Sequence, residues 1–424
     1  LIGPSFDGHG FAAESVQKGA AASLWQKDRG EPPPGVPAVM VDSTLEALQR
    51  LAAAYRDELR AKVVGITGSN GKTTTKDMVC ALLGTRYKVH KTDGNLNNHI
   101  GLPLTLLRMP EDAEIAVVEM GMSGRGEISL LSRIARPDLA VVTNIGEAHL
   151  MQLGSRLEIA RAKLEILDGI EAGGCLVANG DEPLIDGVLE ELRRSGRTPG
   201  GIRVIRFGRS TACDVRPVDV SMRGFETFFS LNIYPDRVFR MPLLGRHNAV
   251  NAAAAAAVAM RFGLDAEAVA SGFSSLKPTG MRMEVVECPG GPTVLNDAYN
   301  ASPTSMRAAL ELLGELDGYF AKIAVLGDML ELGSEETRLH EEIGRSIDPD
   351  AVDYVLTFGP RAGHLAKAAA ERFGPGRVFA FDDKTELIRR LRELAGPGDV
   401  VLVKGSRGMK LEEVVYSLKE AALD

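Results

Sequence analysis

Three observations predict an α/β chain of three domains. Short β-branched runs alternate with helix-compatible segments from Ala61 onward, a glycine-rich turn follows the first of these runs, and the alternation restarts after a Pro/Gly break around Pro278. Such alternation builds a mostly parallel sheet wrapped by helices. Strands buried on both faces read as continuous apolar runs, as these do. The expected division is a small N-terminal α/β domain over residues 1–60, incomplete at its start, a central P-loop ATPase-like parallel sheet over 61–282, and a C-terminal Rossmann-like doubly wound sheet over 283–424. A length of 424 residues suggests about three domains.

The elements follow in order. Glu31-Pro32-Pro33-Pro34-Gly35 is a loop, and Ser43–Arg60 has helical spacing through Leu45, Leu48, Leu51, Ala52 and Tyr55. Val63–Ile66, Ile115–Glu119 and Leu139–Thr143 read as strands, and Leu157–Leu167 as a helical segment. Residues 202–243 carry alternating and aromatic residues (Phe225, Phe228, Phe229, Tyr234, Phe239) and are expected to form an antiparallel insertion. Gly245–Asn251 opens a helix with Asn248 as its N-cap, and Asn251 lies on the same face. Leu276-Lys277-Pro278-Thr279-Gly280 reads as a hinge. Beyond it Thr293–Asn296, Ile323–Leu326, Tyr354–Leu356 and Val400–Val403 form a second sheet with its own crevice at the strand ends.

Composition narrows the function classes. A net charge of −8 gives no general attraction to nucleic acid or to an anionic membrane, so an anionic substrate must meet local basic groups. Cys80, Cys175, Cys213 and Cys288 include no Cys-x-x-Cys pair, which suggests neither zinc nor a disulfide framework; a reducing, cytoplasmic setting is expected. The longest apolar run, Ala252–Met260, is far too short to span a bilayer, so no membrane insertion is expected. The opening at Leu1 reads as mid-domain, and residues ahead of it are expected to be missing from this sequence.

The densest chemical signal is Thr67-Gly68-Ser69-Asn70-Gly71-Lys72-Thr73-Thr74 after the first apolar run. Glycines let backbone N–H groups converge, and the following helix N-terminus adds partial positive charge, which together cradle phosphate. In this arrangement Lys72 reaches the terminal phosphates and the Thr73 hydroxyl reaches magnesium. Binding of ATP or GTP is expected. Gly65 stands six positions before Gly71, one departure from the strict loop pattern; the core from Thr67 is tighter. Glu119 ends a strand beside this loop, as a magnesium ligand or as a solvated carboxylate. His149 follows the next strand end, with Asn144 and Glu147 nearby. Lys163 lies in a helical segment; an ammonium binds no metal, and the pattern alone reads as a surface lysine. Asn248 and Asn251 read a base edge or cap their helix. Asp297-Ala298-Tyr299-Asn300 follows the first strand of the last domain, a ligand position in this architecture. Arg282, in the hinge region, can swing onto a phosphate as domains close. Lys404-Gly405-Ser406-Arg407 is either a carboxylate clamp or a basic turn.

Together these stretches resemble the Mur ligases of bacterial peptidoglycan synthesis, from Phe6-Asp7-Gly8-His9 to Lys410. Within that family, Gly94-Asn95-Leu96-Asn97-Asn98-His99, Asp297–Met306 and Val325–Gly333 are similar to the branch that adds D-Ala-D-Ala. The Asp-Asn-Pro-Arg stretch of the diaminopimelate-adding branch does not occur. The resemblance implies a monomeric cytoplasmic ATP-dependent amide ligase joining D-Ala-D-Ala to UDP-MurNAc-tripeptide through an acyl phosphate. It implies a catalytic set of Lys72, His149 and Lys163, the last as a carbamate. Two magnesium ions would be served by Thr73 and Glu119, and by His149 and Lys163. Thr67–Thr74, Asn248, Asn251, Arg282, Asp297 and Tyr299 would bind ATP, and Asn95, Asn97, Asn98, Lys404, Ser406 and Arg407 the other substrates. The family grips UDP with residues ahead of its Phe-Asp-Gly-His segment, which are absent here.

Two rival readings remain at this level. Another ligase of the superfamily, a different Mur step or a folylpolyglutamate synthase, shares the loop. A regulatory ATPase would share it too, but has no use for Glu119, His149 and Lys163 in one cleft.

Overall fold

The structure is a computed structural model that describes residues 1–3 and 6–421. Pro4, Ser5 and the last three residues assigned above to the C-terminal domain lie outside the described residues.

Six parallel strands form the central sheet. Their order is Val89–Lys91, Ile115–Glu119, Lys62–Thr67, Leu139–Val142, Cys175–Asn179, Arg203–Phe207. Lys62–Thr67 is central and aligns Ile66 with Glu119 on one side and Thr67 with Val142 on the other. All three strands therefore deliver their C-terminal ends to one place, where loops of an α/β sheet build sites.

The two sheet faces are covered differently. On one, the helices Lys72–Leu83 and Arg246–Arg261 pack over Val64, Ile66, Val117 and Val141. Ala252–Ala257 are fully buried there. Small side chains let a long helix lie close to its neighbours at little entropic cost. On the other face, Val63, Val118 and Val142 meet Ile128, Leu131, Ile159 and Leu164. The helix Thr44–Glu58, capped by Ser43, also packs there through Ala52.

The antiparallel insertion is shorter than expected from the sequence. Pro217–Arg223, Glu226–Leu231 and Tyr234–Met241 form a three-stranded antiparallel sheet, whereas Arg203–Phe207 is the parallel edge strand of the central sheet. Alternation in an edge strand with one wet face looks like antiparallel alternation, so period alone does not separate them. The insertion buries Phe229 and Phe239 against Phe273, with ring centroids 5.5–5.8 Å apart.

The C-terminal sheet runs Glu284–Glu287, Thr293–Asp297, Val400–Lys404, Lys322–Gly327, Tyr354–Phe358, Val378–Phe381, with only the first strand antiparallel. The N-terminal unit is a two-stranded parallel sheet, Ser23–Gln26 with Ala38–Val41, and a short helix, Ala12–Gln17.

At the hinge, Asp77 Oδ2 accepts from Thr279 N at 2.9 Å and from its hydroxyl at 2.7 Å, while Asp77 Oδ1 lies 3.4 Å from Lys76 Nζ. Both charged side chains are buried. Removing one partner strands the other charge. Asp77→Ala is therefore expected to cost about 3 kcal/mol of stability, measured by urea unfolding followed by circular dichroism. A loss below about 1 kcal/mol would show the hinge anchor to be dispensable.

Candidate active site

The phosphate-loop geometry starts from backbone that only glycine tolerates. Gly68 has φ +149°, and a Cβ there would lie 1.8 Å from Thr143 Oγ1. Gly71, at φ +78°, is the N-cap of the helix Lys72–Leu83. The turn between them is clamped to the next strand: Ser69 N donates to Asn144 O (3.1 Å), Asn70 N to Asn144 Oδ1 (2.9 Å), and Thr143 Oγ1 to Asn70 O (2.6 Å). Lys72 Nζ donates to Gly68 O at 2.8 Å, folded over its own loop. Burial, and then the charge of Arg282, push the Lys72 ammonium below its ordinary pKa, against the pull of Glu119. Thr74 lines the cleft, while buried Thr67 turns its hydroxyl to Met120 O at 2.9 Å.

Glu119 is buried at its strand end and is held on both oxygens. Thr73 Oγ1 donates to Oε2 and Asn97 Nδ2 to Oε1, each at 2.8 Å. Gly121 permits this approach, since a Cβ there would fall 2.9 Å from the Asn97 amide oxygen. Asn98 Oδ1 accepts from Gly101 N at 2.8 Å just ahead of the helix Gly101–Leu107, and Asn98 also lines the cleft. Asn95 is exposed and lies outside the cleft lining.

His149 has φ +65°, which costs a non-glycine residue about 1–2 kcal/mol, and it lines the cleft. Its Nδ1 lies 2.8 Å from a Glu331 carboxylate oxygen, without hydrogen-bond alignment. Burial, followed by the Lys163 and Lys72 charges, lowers its pKa despite Glu331. Lys163 corrects the sequence reading: it is buried, not a surface lysine, with 1% exposure. Its helix, Arg156–Leu164, packs that residue inward, and helical spacing alone could not reveal this. Among the described residues no hydrogen bond or ion pair reaches its Nζ, and burial plus the Lys72 charge hold its pKa well below the ordinary lysine value. The Lys72 charge thus acts on both His149 and Lys163.

Asn248 is not the N-cap. Gly245 takes that position at φ +105°, leaving room for the His247 ring, and Asn248 lies inside the helix, where its Nδ2 donates to Leu244 O at 2.7 Å. Asn251 Nδ2 donates to Asn248 Oδ1 at 3.1 Å, and the Asn251 amide lies against Gly71.

The other wall comes from the C-terminal domain. Arg282 lies between two left-handed residues, Met281 and Met283, and stacks on the Tyr299 ring with its guanidinium carbon 4.1 Å from the centroid. Its Nε is buried without a hydrogen-bond partner among the described residues. The carboxylate that Lys404 clamps is Asp297's, at 2.5 Å, and Asp297 also accepts from Met283 N. Ser406 and Arg407 lie outside the cleft lining. Ser406 Oγ accepts from Leu330 N, and Arg407 pairs with Glu412. Sequence reasoning missed Glu331, His247 and Arg246, all inside quoted motifs but far from the loop in sequence.

The Ser69–Thr74 loop, Glu119, His149, Arg282 and Tyr299 line a cleft of about 790 Å³ between the two sheets, whereas Lys163 lies outside its lining. Residues 66–259 match the Mur ligase middle domain and residues 281–407 the Mur ligase glutamate ligase domain. The chain is 49% identical over 423 residues to the UDP-N-acetylmuramoyl-tripeptide–D-alanyl-D-alanine ligase of Bacillus subtilis, covering 100% of this chain and 90% of that protein. The chain belongs to the Mur ligase family. MurF of Acinetobacter baumannii superposes with a TM-score of 0.87 at 30% identity, covering 99% of this chain and 89% of that one. A MurF ligase of Thermotoga maritima, solved in complex with ADP, superposes with a TM-score of 0.85 at 30% identity, covering 100% and 94%. This Mur ligase carries the family's three-domain architecture. Among its described residues no helix is long and apolar enough to cross a membrane.

In this Mur ligase, Gly68→Ala combines a forbidden close approach with a strained φ. It is expected to destabilise the central domain by about 2–4 kcal/mol, read as a lower thermal midpoint. An unchanged midpoint would mean that the loop yields and that the Thr143 contact is not a constraint.

Proposed function

We propose that this cleft joins D-Ala-D-Ala to UDP-MurNAc-tripeptide with ATP, through an acyl phosphate, giving UDP-MurNAc-pentapeptide, ADP and phosphate in peptidoglycan synthesis. The observation that carries the reading is the meeting of the Gly68–Thr73 loop and the Thr73–Glu119 pair with Arg282 from the opposite domain, in a chain 49% identical to a ligase of that name. The same similarity over the full chain disfavours a folate substrate.

A carboxylate is a poor electrophile until it carries a leaving group. In the first step the tripeptide carboxylate attacks the γ-phosphorus, the bond to the β–γ bridging oxygen breaks, and ADP leaves. Two anions approach each other, so cations must face them. Lys72, the loop N–H groups and the helix N-terminus hold the β- and γ-phosphates, and Arg282 faces them across the cleft. In the second step the D-Ala-D-Ala amine attacks the acyl carbon, phosphate leaves from the tetrahedral intermediate, and a proton is lost. Water must be excluded meanwhile. Thr304 Oγ1 donates to Glu147 at 2.7 Å and Ser302 Oγ to Asn70 at 3.2 Å, so the C-terminal domain roofs the loop.

The donor set fits magnesium. Thr73 and Glu119 offer hard oxygens at one point, and among the described residues no cluster of three or more His, Cys, Asp or Glu competes for a softer metal. Few protein ligands plus phosphate oxygens is the arrangement that magnesium prefers. Thr73 and Glu119 would hold one ion, and His149 with Lys163 a second. When bound, the ions neutralise the phosphates and polarise the γ-phosphoryl group. Lys163 suits a carbamate because burial and Lys72 favour its neutral amine, the form that attacks carbon dioxide and releases a proton. Asn97 and Asn98 face the nucleotide-peptide, and Asn251 reaches the nucleotide beside Gly71.

Phosphate release should depend on both UDP-MurNAc-tripeptide and D-Ala-D-Ala, with a pentapeptide product; release indifferent to both would overturn the substrate assignment. Lys72→Ala should lower ligation by about 10²–10³-fold or more, and near-normal turnover would remove the loop from the mechanism. Lys163→Ala should lose activity and regain part of it with short-chain carboxylic acids, whereas an unimpaired variant would refute the carbamate.

A further inference from the structure

We propose that Glu331 is a positioning residue: the C-terminal domain supplies its carboxylate to His149 Nδ1, so that the ring is oriented for the cleft only when the two domains are docked. This rests on the reading of His149 as a magnesium ligand. The stretch Gly327–Gly333 marks the chain in sequence, yet the mechanism above assigns it no task.

Glu331 touches the central domain twice. Its carboxylate lies 2.8 Å from His149 Nδ1, and its carbonyl accepts from Met151 N at 3.1 Å. The turn is therefore seated on the short helix Leu150–Leu153, of which His149 is the N-cap. Both partners sit in the left-handed region, each at φ +65°. Such conformations persist only where the surroundings over-determine them. Gly333 tightens the fit: at φ +63°, a Cβ there would lie 3.1 Å from Met151 Cα.

The turn is braced from its own domain. Met329 N donates to His340 Nε2 at 2.9 Å, and His340 Nδ1 lies 2.6 Å from Glu336 O. Leu330 N donates to Ser406 Oγ at 2.9 Å, and Ser406 N to Asp328 O at 3.0 Å. Asp328 Oδ1 in turn accepts from Ala362 N at 2.7 Å. Ser406, expected from the sequence to contact substrate, serves here as a strut that aims Glu331.

The chemistry follows from imidazole having two distinct nitrogens. A carboxylate 2.8 Å from Nδ1, though not aligned as a hydrogen bond, favours the proton there through its charge and leaves the Nε2 lone pair as the donor to a cation. Glu331 retains 49% side-chain exposure, so the pair adds little to stability. A merely structural contact at that exposure would leave the ring's tautomer and the turnover unaltered.

The test uses Glu331→Ala and Gly333→Ala in the full chain. The first readout is the ¹⁵N spectrum of the His149 ring in enzyme free of metal and nucleotide. The native ring should carry its proton on Nδ1, and Glu331→Ala should shift it toward Nε2. With magnesium and all substrates, kcat should fall by about 10–100-fold while KM for ATP stays within about threefold. Gly333→Ala, which keeps the carboxylate but obstructs the seat on Met151, should lose the Nδ1–H signature as well. An unshifted tautomer in Glu331→Ala, or a shifted one with kcat within twofold of native, overturns the positioning role. A native Gly333→Ala spectrum overturns its dependence on docking. Full ligation by His149→Ala would instead sink the metal-ligand reading of His149, while the tautomer spectrum still judges Glu331.

Discussion

Gly68 approaches Thr143 so closely that a methyl group would fall 1.8 Å from its hydroxyl oxygen. That contact ties the phosphate loop to the end of the neighbouring strand, and Asn144 completes the tie through Ser69 N and Asn70 N. The loop cannot move without the sheet. Because the central strand aligns Ile66 with Glu119, the same register that builds the sheet also sets the carboxylate beside Thr73. The cradle and its acidic partner are therefore one rigid object, which suits a reaction whose barrier is lowered mainly by fixed charges.

Charge around this object is unevenly matched. Lys72 sits close enough to Lys163 to lower its proton affinity, whereas the nearby carboxylate, Glu119, is already engaged by Thr73 and Asn97. A surplus of buried cation is costly by itself. It is useful where triphosphate and carboxylate must meet, and where one amine must stay neutral. On the opposite wall Asp297 absorbs the Lys404 charge, which leaves Arg282 as the cation stacked on Tyr299 and open to the cleft.

The second wall reaches the first through small polar contacts beside an apolar patch in which Leu150, Met222, Phe225 and Leu244 pack on the C-terminal core. Thr304 with Glu147, Ser302 with Asn70, and Glu331 with His149 each join residues far apart in sequence. Contacts of this kind form and break at modest cost, as a domain that opens for substrate and closes for chemistry requires. Left-handed Met281 and Met283 concentrate the turn of the chain at Arg282, next to the phosphates it would meet.

Local chemistry made much of this legible in the sequence. Glycine at 68 and 71 announces positive φ, apolar runs announce buried parallel strands, and Lys72-Thr73 at a helix start announces a phosphate site, because each is a property of adjacent residues. The resemblance of motifs added the family. Other features were not legible, because they depend on residues that meet only in the fold. Helical spacing left Lys163 on the surface, and packing buried it. Asn248 looked like a cap, but Gly245 alone has room for the His247 ring. Ser406 and Arg407 follow a strand end like ligand residues, yet they brace a turn and pair with Glu412. Sequence by itself determined the α/β class, the loop and the three-part order, since these rest on local periodicity and backbone freedom. Only the tertiary structure decided which charges are buried, which carboxylate Lys404 holds and that Glu331 faces His149, because burial and pairing arise between segments that the chain separates.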